Sequence, residues 1–427
     1  MTTPNLTFSH AHFYRWNHSD FWNLRIKIKY HCYFVSYNII ACGFDTTCSN
    51  TGINKGCCTL LQDLLGRQIL WLACRHHILE LILKAAFIEL FGDTSGPEET
   101  LFKFMKPAWS SLELTSLSPP QIPAVYRRDV PTVLSFICSC LKPENADLLP
   151  RGDYKEFLAL AKIFLGGEVE RKNGITYTIQ RPGADSHARW MSKAIYTLKL
   201  TLLLHQFPNI PWYRKKKLDK MSLFIIFVYL QSWFTSYLLY SAASSDLDLY
   251  KRLEKFAKIH KKLSTVGAKV LQRHTWYLSE ELVPISLFDP NLPDVVTDVD
   301  SIAQKISRLP DGDLPIEKPT LPRIGKTSVI TDFVGPRSTV LFKLIDVPHS
   351  ILSQPDWRHQ PGVIRVREAL QNQSTTNDSC ERALSLATSF SGKITKDKSQ
   401  YQDLVLLAES HRKKYKLKKK EDFKKLF

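Results

Sequence analysis

The stretch from Ile78 to Phe91 constrains the fold most, because almost every one of its residues is apolar. A helix of this composition has no polar face to turn towards solvent, so it must be buried on several sides. Gly92 follows the stretch and is expected to end the helix. Two runs of β-forming residues precede it, Tyr30–Phe44 and Gln68–Ala73. A strand, a loop, a second strand and a buried helix in this order predict an α/β fold.

The periodicity of apolar residues changes along the rest of the chain. Prolines interrupt short helical stretches between residues 96 and 185, and helical periodicity resumes at Arg189 and persists, with breaks, to about residue 288. Residues 289–325 are rich in proline and aspartate, which predicts a linker or a long loop. Further expected elements are a strand at Val340–Val347 and helices at Ser379–Phe390 and Gln400–Tyr415.

Charge points to the class of partner. The chain of 427 residues has a formal net charge of +17, and 44% of its residues are hydrophobic. The hydrophobic fraction predicts folded domains, and the charge favours nucleic acid before an anionic membrane. Two basic clusters, Arg214–Lys217 and Arg412–Lys425, suit phosphate contact or a nuclear address, although the second could equally be a solvated terminus. Within the second cluster we select as DNA contacts Lys413, Lys414, Lys418 and Lys419.

Cysteine usage indicates a reducing compartment. The nine cysteines are odd in number and form no regular framework, so we expect reduced thiols in a cytosolic or nuclear protein. The first ten residues show no basic segment followed by an apolar run, so a secretory signal is not expected.

The segment Met221–Ser245 allows two interpretations because it carries no charge. Its length could span a bilayer, with basic residues before it and acidic residues after it. A stripe of polar residues at helical spacing argues for a helix buried in a helical domain instead. We expect the buried helix and no membrane partner. The polar stripe consists of Gln231, Ser232, Thr235 and Ser236.

Asp45 is the first candidate for chemistry. It directly follows the predicted strand that ends at Phe44, and small polar residues follow it as far as Gly52. A carboxylate at the end of a strand can face a cleft, where several carboxylates together hold Mg²⁺ for phosphoryl transfer. The alternative is an ordinary turn, because aspartate, serine and asparagine often begin turns by bonding to their own backbone.

Two further clusters have a functional and a structural interpretation each. Cys74 and His77 could bind zinc together with Cys57 and Cys58, but the spacing is irregular and favours a buried thiol at the start of a helix. Arg189 and Trp190 could grip a phosphate and stack on a base. The same pair could equally open an amphipathic core helix.

The last candidate is Glu381, which lies at the start of a predicted late helix. An acid at this position could be the final ligand of a metal site. Asp378 and Glu381 also have the spacing of a capping box, in which both side chains would bond to the backbone at the helix start. The two roles are compatible only if Glu381 faces the sheet.

These motifs, in this order, resemble those of the hAT superfamily of DNA transposases. The strand-ending Asp45 with Asn50 five residues later is similar to the family's second acid, and Cys74 with His77 is similar to its Cys-x-x-His motif. The remaining matches are Arg189-Trp190 with Ser192 at the opening of an insertion domain, and Glu381-Arg382 as the third acid. The resemblance covers residues 37–95, 185–290 and 370–415.

The resemblance implies an RNase H-like core in which a carboxylate triad holds Mg²⁺ and cuts DNA. On it, Asp45 and Glu381 would be catalytic metal ligands, and Cys74 and His77 would support the neighbouring sheet and helix. The family's first acid lies on an earlier strand, yet the only acid before Asp45 is Asp20, whose surroundings do not match. The family's N-terminal zinc module is also missing from the sequence. We therefore expect an incomplete site that binds Mg²⁺ weakly, because hard cations depend on the number of anionic oxygens.

The expected architecture is α/β: a partial RNase H-like sheet with flanking helices, interrupted by a large, mainly helical insertion domain. The expected divisions are an atypical N-terminal segment with a strand (1–44), the first part of the core (45–95), an irregular connection (96–185), the helical insertion domain (186–290), a linker and strand region (291–370), and returning core helices with a basic tail (371–427).

The sequence thus predicts a nuclear, transposase-derived DNA-binding protein with weak or no phosphoryl-transfer activity. Homo-oligomers are compatible with the resemblance, because transposases commonly self-associate. No motif predicts a small-molecule substrate. Two alternatives stay open: a non-enzymatic module for protein interaction or dimerisation, and a membrane protein anchored by residues 221–245.

Overall fold

The computed structural model describes residues 39–92, 108–149, 152–168, 179, 189–289, 296–371, 373 and 375. The strands in these ranges are β1 (Ala41–Phe44) and β2 (Leu70–Ala73). The α-helices are α1 (Cys48–Thr51), α2 (Cys57–Leu65), α3 (Arg75–Phe91), α4 (Val130–Cys140), α5 (Gly152–Phe164), α6 (Arg189–Leu202), α7 (Trp212–Phe224), α8 (Leu230–Thr235), α9 (Ala242–Leu271), α10 (Val296–Ser307), α11 (Thr339–Leu344) and α12 (Pro361–Gln371).

The two strands form a small parallel sheet in the core. Ala41 lies opposite Leu70 and Phe44 opposite Ala73. Parallel neighbours need a crossover connection, and α2 supplies it. Every residue of β2 is buried. The described residues are therefore mainly helical around a two-stranded parallel sheet, so the α/β prediction is confirmed in this coarse form.

Helix α3 is the central helix, as its composition predicts. Both of its sides are covered, since ten of its residues are buried, and its main neighbour is α9. Gly92 ends it with a φ of 87°, a left-handed conformation that a residue with a side chain rarely adopts.

Helix α9 is bent back on itself at His260. His260 has φ −154° and ψ 96°, which is extended rather than helical backbone. A Cβ atom built on Gly267 would lie 2.7 Å from Leu253 Cδ2, whereas 14 residues of straight helix would separate them by about 21 Å. Residues 242–259 and 261–271 are therefore the two arms of a helical hairpin. His260 Nδ1 accepts the backbone N–H of Leu263 at 3.2 Å and so caps the second arm.

The uncharged segment 221–245 is buried, as we expected. It runs from the end of α7 through one π-helical turn, Ile225–Tyr229, into α8. Its hydroxyl groups bond within the helix: Ser232 donates to the carbonyl of Val228 at 3.2 Å and Thr235 to that of Gln231 at 3.0 Å. None of the helices among the described residues has both the length and the apolar character needed to cross a bilayer.

Three glutamines attach irregular segments to the helical core. Each uses both ends of its carboxamide, accepting a backbone N–H with its oxygen and donating to the carbonyl of the same residue with its nitrogen. The pairs, with N–H and carbonyl distances, are Gln68 with Glu317 (3.0 and 3.0 Å), Gln206 with Glu113 (2.9 and 2.9 Å) and Gln272 with Ile324 (2.9 and 2.6 Å). In this way backbone without regular structure satisfies its polar groups.

Two sequence expectations for the second half of the chain are corrected. The strand expected at Val340–Val347 is wrong, because helix α11 occupies this run; a short apolar run forms a strand or a buried helical turn equally well. The linker expected at residues 289–325 contains α10, whose buried side chains have helical spacing. They are Val299, Ile302, Ala303 and Ile306. The helices expected at Ser379–Phe390 and Gln400–Tyr415 lie outside the described residues.

Candidate functional site

Asp45 lies directly after β1, where its carboxylate organises the next turn. Its Oδ1 accepts the hydroxyl of Thr47 at 2.6 Å, the backbone N–H of Thr47 at 3.2 Å and the side-chain amide of Asn50 at 2.7 Å. The same amide also donates to the backbone carbonyl of Asp45 at 3.1 Å. Asn50 is buried, so Asp45 and Asn50 form one interlocked unit. This geometry belongs to the turn interpretation of the motif.

A metal role for Asp45 would have to use its other oxygen. Three donors already bond to Oδ1, which lowers the capacity of this atom to bind a cation. Among the residues that the structure describes, no three His, Cys, Asp or Glu side chains come together in a way that could hold a metal ion. Glu381, the predicted second ligand, lies outside them. The Mg²⁺ site at Asp45 and Glu381 therefore stays a prediction.

The segment Cys74–His77 connects β2 to α3 and is built into the core. Cys74 is buried and forms the N-cap position of α3. His77 lies near His274, whose pKa is lowered to about 4, first by burial and then by the positive charges of His77 and Arg273. A histidine with so low a pKa is neutral at physiological pH.

The two residues inside this motif, Arg75 and His76, contact the helical region. Arg75 forms a 2.6 Å ion pair with Asp246 of α9, and both side chains are almost fully buried. His76 stacks on Trp233 with ring centroids 3.8 Å apart. Tyr277 donates its hydroxyl to the carbonyl of Ala73 at 2.5 Å, which fixes the end of β2. Arg75 and His76 therefore join the sheet to the helical region. The supporting role expected of Cys74 and His77 stays a prediction.

The zinc alternative needed Cys57 and Cys58 beside Cys74. The structure instead places Cys58 in hydrogen-bonding contact with Cys42 of β1, and burial raises the pKa of the Cys58 thiol. Burial also raises the pKa of Cys57 to about 12. These thiols are protonated at neutral pH, so a zinc ion would have to displace their protons in order to bind.

Arg189 and Trp190 begin α6, where we expected the helical region to open. Their side chains lie outside the described residues, so the proposed phosphate and base contacts stay predictions. The same holds for the tail lysines. They are Lys413, Lys414, Lys418 and Lys419.

The described residues do contain a basic surface, and it includes the cluster Arg214–Lys217. Helix α7 turns Leu218 and Met221 into the core. The residues at spacing i, i+3, i+4 and i+7 on another side of α7 are polar and at least partly exposed. They are Tyr213, Lys216, Lys217 and Lys220. Trp212, at the first position of this helix, exposes 75% of its surface, although tryptophan usually buries most of its area.

The bend of α9 carries three exposed cations, Lys258, Lys261 and Lys262. Burial is the largest cause of the lowered pKa of His260; Lys220 of α7 and Lys262 lower it further and Glu89 of α3 opposes them, so two lysines and one glutamate lie near the same ring. We call the combined surface the basic face. Its residues are Trp212, Tyr213, Lys216, Lys217, Lys220, Lys258, Lys261 and Lys262.

Sequence reasoning found only the α7 half of the basic face. The signal for the other half was present as six Lys and Arg residues between positions 251 and 262. The sequence does not show which of these six residues already form ion pairs within the protein. Lys255, for example, pairs with Asp129 at 2.6 Å.

Comparison of the chain with protein-family models, with curated proteins and with solved structures found no match.

Proposed function

We propose that this chain is a DNA-binding protein that contacts the phosphate backbone through the basic face. One observation carries the proposal: Lys220 of α7 and Lys262 of α9 lie near the same His260 ring, and the same helix α7 begins with the exposed indole of Trp212. Lysines attract phosphates irrespective of base sequence, and each contact releases a counterion. An exposed aromatic ring beside them can stack on a base.

The balance of charge on the basic face supports an anionic partner. Lys258, Lys261 and Lys262 are exposed, and in the described part of the chain no carboxylate forms an ion pair with any of them. The acid nearest to the α7 lysines in sequence is Asp219, whose pKa is raised by burial and lowered again by Lys216. Asp219 and Glu89, which lies near the His260 ring, are two acids against the six lysines of the basic face, so the face keeps a net positive charge.

We further propose descent from an hAT-type transposase with a degenerate RNase H-like core. Three positions support the idea: Asp45 directly follows a strand of a parallel sheet, Cys74 and His77 stand at the head of a buried helix, and a helical region opens at Arg189. Because Asp45 is engaged within its own turn, we propose that phosphoryl transfer is weak or absent.

The binding proposal is tested by fluorescence anisotropy with a labelled DNA duplex at several salt concentrations. The double variant Lys216→Gln/Lys217→Gln should weaken binding and reduce the slope of log K against log salt by about two units, because each phosphate contact contributes about 0.9. The matched control is Lys142→Gln/Lys251→Gln, whose lysines face Glu144 and Asp248 at 3.4 and 3.9 Å. Equal slopes for the two double variants would reject the basic face as the DNA contact.

The catalytic part is tested separately with DNA cleavage in Mg²⁺ or Mn²⁺. If the core is degenerate, the wild type and Asp45→Ala should show the same background. Cleavage that disappears in Asp45→Ala would instead establish an active metal site and overturn the proposal of a degenerate core.

A further inference from the structure

A polar cleft lies away from the turn at Asp45, between the two arms of the α9 hairpin. Tyr250 and Glu254 come from the first arm, Lys269 and Arg273 from the second arm and its end, and Arg323 from the irregular segment that crosses them. The volume of the cleft is about 670 Å³, and the cleft is open to solvent along much of its length. We call it the arginine cleft.

The structure holds Arg273 and Arg323 at this cleft through hydrogen bonds to their neighbours in the chain. Gln272, which precedes Arg273, bonds to both the N–H and the carbonyl of Ile324, at 2.9 and 2.6 Å. Thr275, two residues after Arg273, donates to the carbonyl of Pro322 at 2.7 Å. Both residues that flank Arg323 are thus attached to the segment that carries Arg273, so the backbones of the two arginines are fixed beside each other.

The charges in the cleft are not balanced by acids. Within the described ranges, Lys269, Arg273 and Arg323 form no ion pair with a carboxylate. The one acid in the cleft lining, Glu254, already pairs with Lys326 at 3.2 Å. Two guanidinium groups and an ammonium group that line one space repel each other, and an anion between them would relieve the repulsion.

We propose that the arginine cleft binds the phosphate groups of a nucleotide. Guanidinium groups donate in a planar fork that matches two phosphate oxygens at once, and two of them can bind neighbouring phosphates. Lys269 adds a third positive charge, and the Tyr250 ring lines the same space. The nucleotide could be free or part of a flexible nucleic-acid strand, since both present the same phosphate chemistry. This site is independent of the basic face and of the DNA-binding proposal.

Calorimetric titration of the full chain with inorganic pyrophosphate tests the proposal. The wild type should bind one equivalent, and Arg273→Gln and Arg323→Gln should each weaken binding by about tenfold or more, since hydrogen bonds to charged groups contribute about 1.5–3 kcal/mol. Both arginines are exposed, so neither change disturbs the core. The control Lys251→Gln, on the same helix but not in the cleft lining, should bind as the wild type does.

A positioning variant separates a built site from general positive charge. Gln272→Ala keeps every charge but releases the segment that carries Arg323, so it should also weaken pyrophosphate binding, and the melting temperature should show that the variant is folded. ADP and a short single-stranded oligonucleotide, each competed against pyrophosphate, then identify the source of the phosphate. Wild-type affinity in both arginine variants, or a wild type that does not bind pyrophosphate, would overturn the proposal.

Discussion

Leu253 and Gly267 face each other across the α9 hairpin, close enough that a Cβ atom on Gly267 would lie 2.7 Å from Leu253 Cδ2. A residue without a side chain lets the two arms approach, and Leu253 fills the space that a side chain would take. The same position contacts the core on its other side, since Ile82 Cγ2 of α3 would lie 3.6 Å from the added atom. The close approach of the two arms to each other and to α3 therefore depends on this glycine.

Replacing Gly267 by valine should force the arms apart. Overpacking of a well-packed core typically costs about 1–3 kcal/mol, so we expect the free energy of unfolding to fall by that amount in urea denaturation. The matched control is Gly312→Val, because nothing lies within 4 Å of a Cβ atom at Gly312. A Gly267→Val protein as stable as this control would show that the arms are not in close contact.

The Asp45–Asn50 unit makes a second prediction about stability. Asn50→Ala removes two hydrogen bonds to Asp45 in a buried position, and we expect a loss of about 1–3 kcal/mol. Asp45→Asn keeps an acceptor oxygen and should lose less. Thermal unfolding with and without millimolar MgCl₂ separates this role from metal binding, because a bound metal stabilises the folded state. A rise in melting temperature with Mg²⁺ in the wild type but not in Asp45→Asn would favour the metal site.

His274 makes stability depend on pH. Its folded-state pKa of about 4 lies below the ordinary value of 6.5, so the unfolded chain binds the proton more readily. Stability is then full above about pH 6.5 and falls as the pH drops towards 4, by roughly 1–3 kcal/mol in total. His274→Gln should flatten this dependence, whereas the exposed His359→Gln should leave it unchanged. Urea midpoints between pH 4 and pH 7 provide the measurement, and parallel curves for the wild type and His274→Gln would refute the assignment.

Removing one member of the buried Arg75–Asp246 pair should lower the free energy of unfolding more than replacing both members by apolar residues. Asp246→Ala leaves the Arg75 charge buried without its partner, which typically costs about 3–5 kcal/mol. The double variant Arg75→Met/Asp246→Leu removes both charges and should recover most of that loss. Burial raises the pKa of Asp246 despite the opposing effect of Arg75, which agrees with a pair that is expensive to desolvate. A double variant no more stable than Asp246→Ala would contradict this account.

Local pattern was sufficient to predict the elements nearest the candidate site. Runs of β-forming residues predicted β1 before Asp45 and β2 before Cys74. A run of apolar residues that ends at Gly92 predicted the buried helix α3. The hairpin in α9 could not be predicted in this way, because no glycine or proline marks the bend at His260. The bend depends on contacts between residues that are far apart in the sequence, such as the packing of Leu253 against Gly267.

The charged sites, too, could be predicted from the sequence only in part. The cluster Arg214–Lys217 is visible in the sequence, but the pairing of Lys255 with Asp129, which removes one lysine from the available set, is a tertiary contact. Arg273 and Arg323 are 50 positions apart, and the hydrogen bonds of Gln272 and Thr275 to the segment around Arg323 are tertiary contacts that the sequence does not show.

The glutamine attachments of Gln68, Gln206 and Gln272 have a consequence for how the molecule responds to its solution. A carboxamide carries no charge, so neither ionic strength nor pH weakens these bonds directly, whereas contacts between lysine or arginine and phosphate weaken steeply as salt is added. If the protein binds anions as we propose, raising the salt concentration should weaken that binding more than it weakens the glutamine attachments. Release and rebinding can then repeat without any refolding of the scaffold.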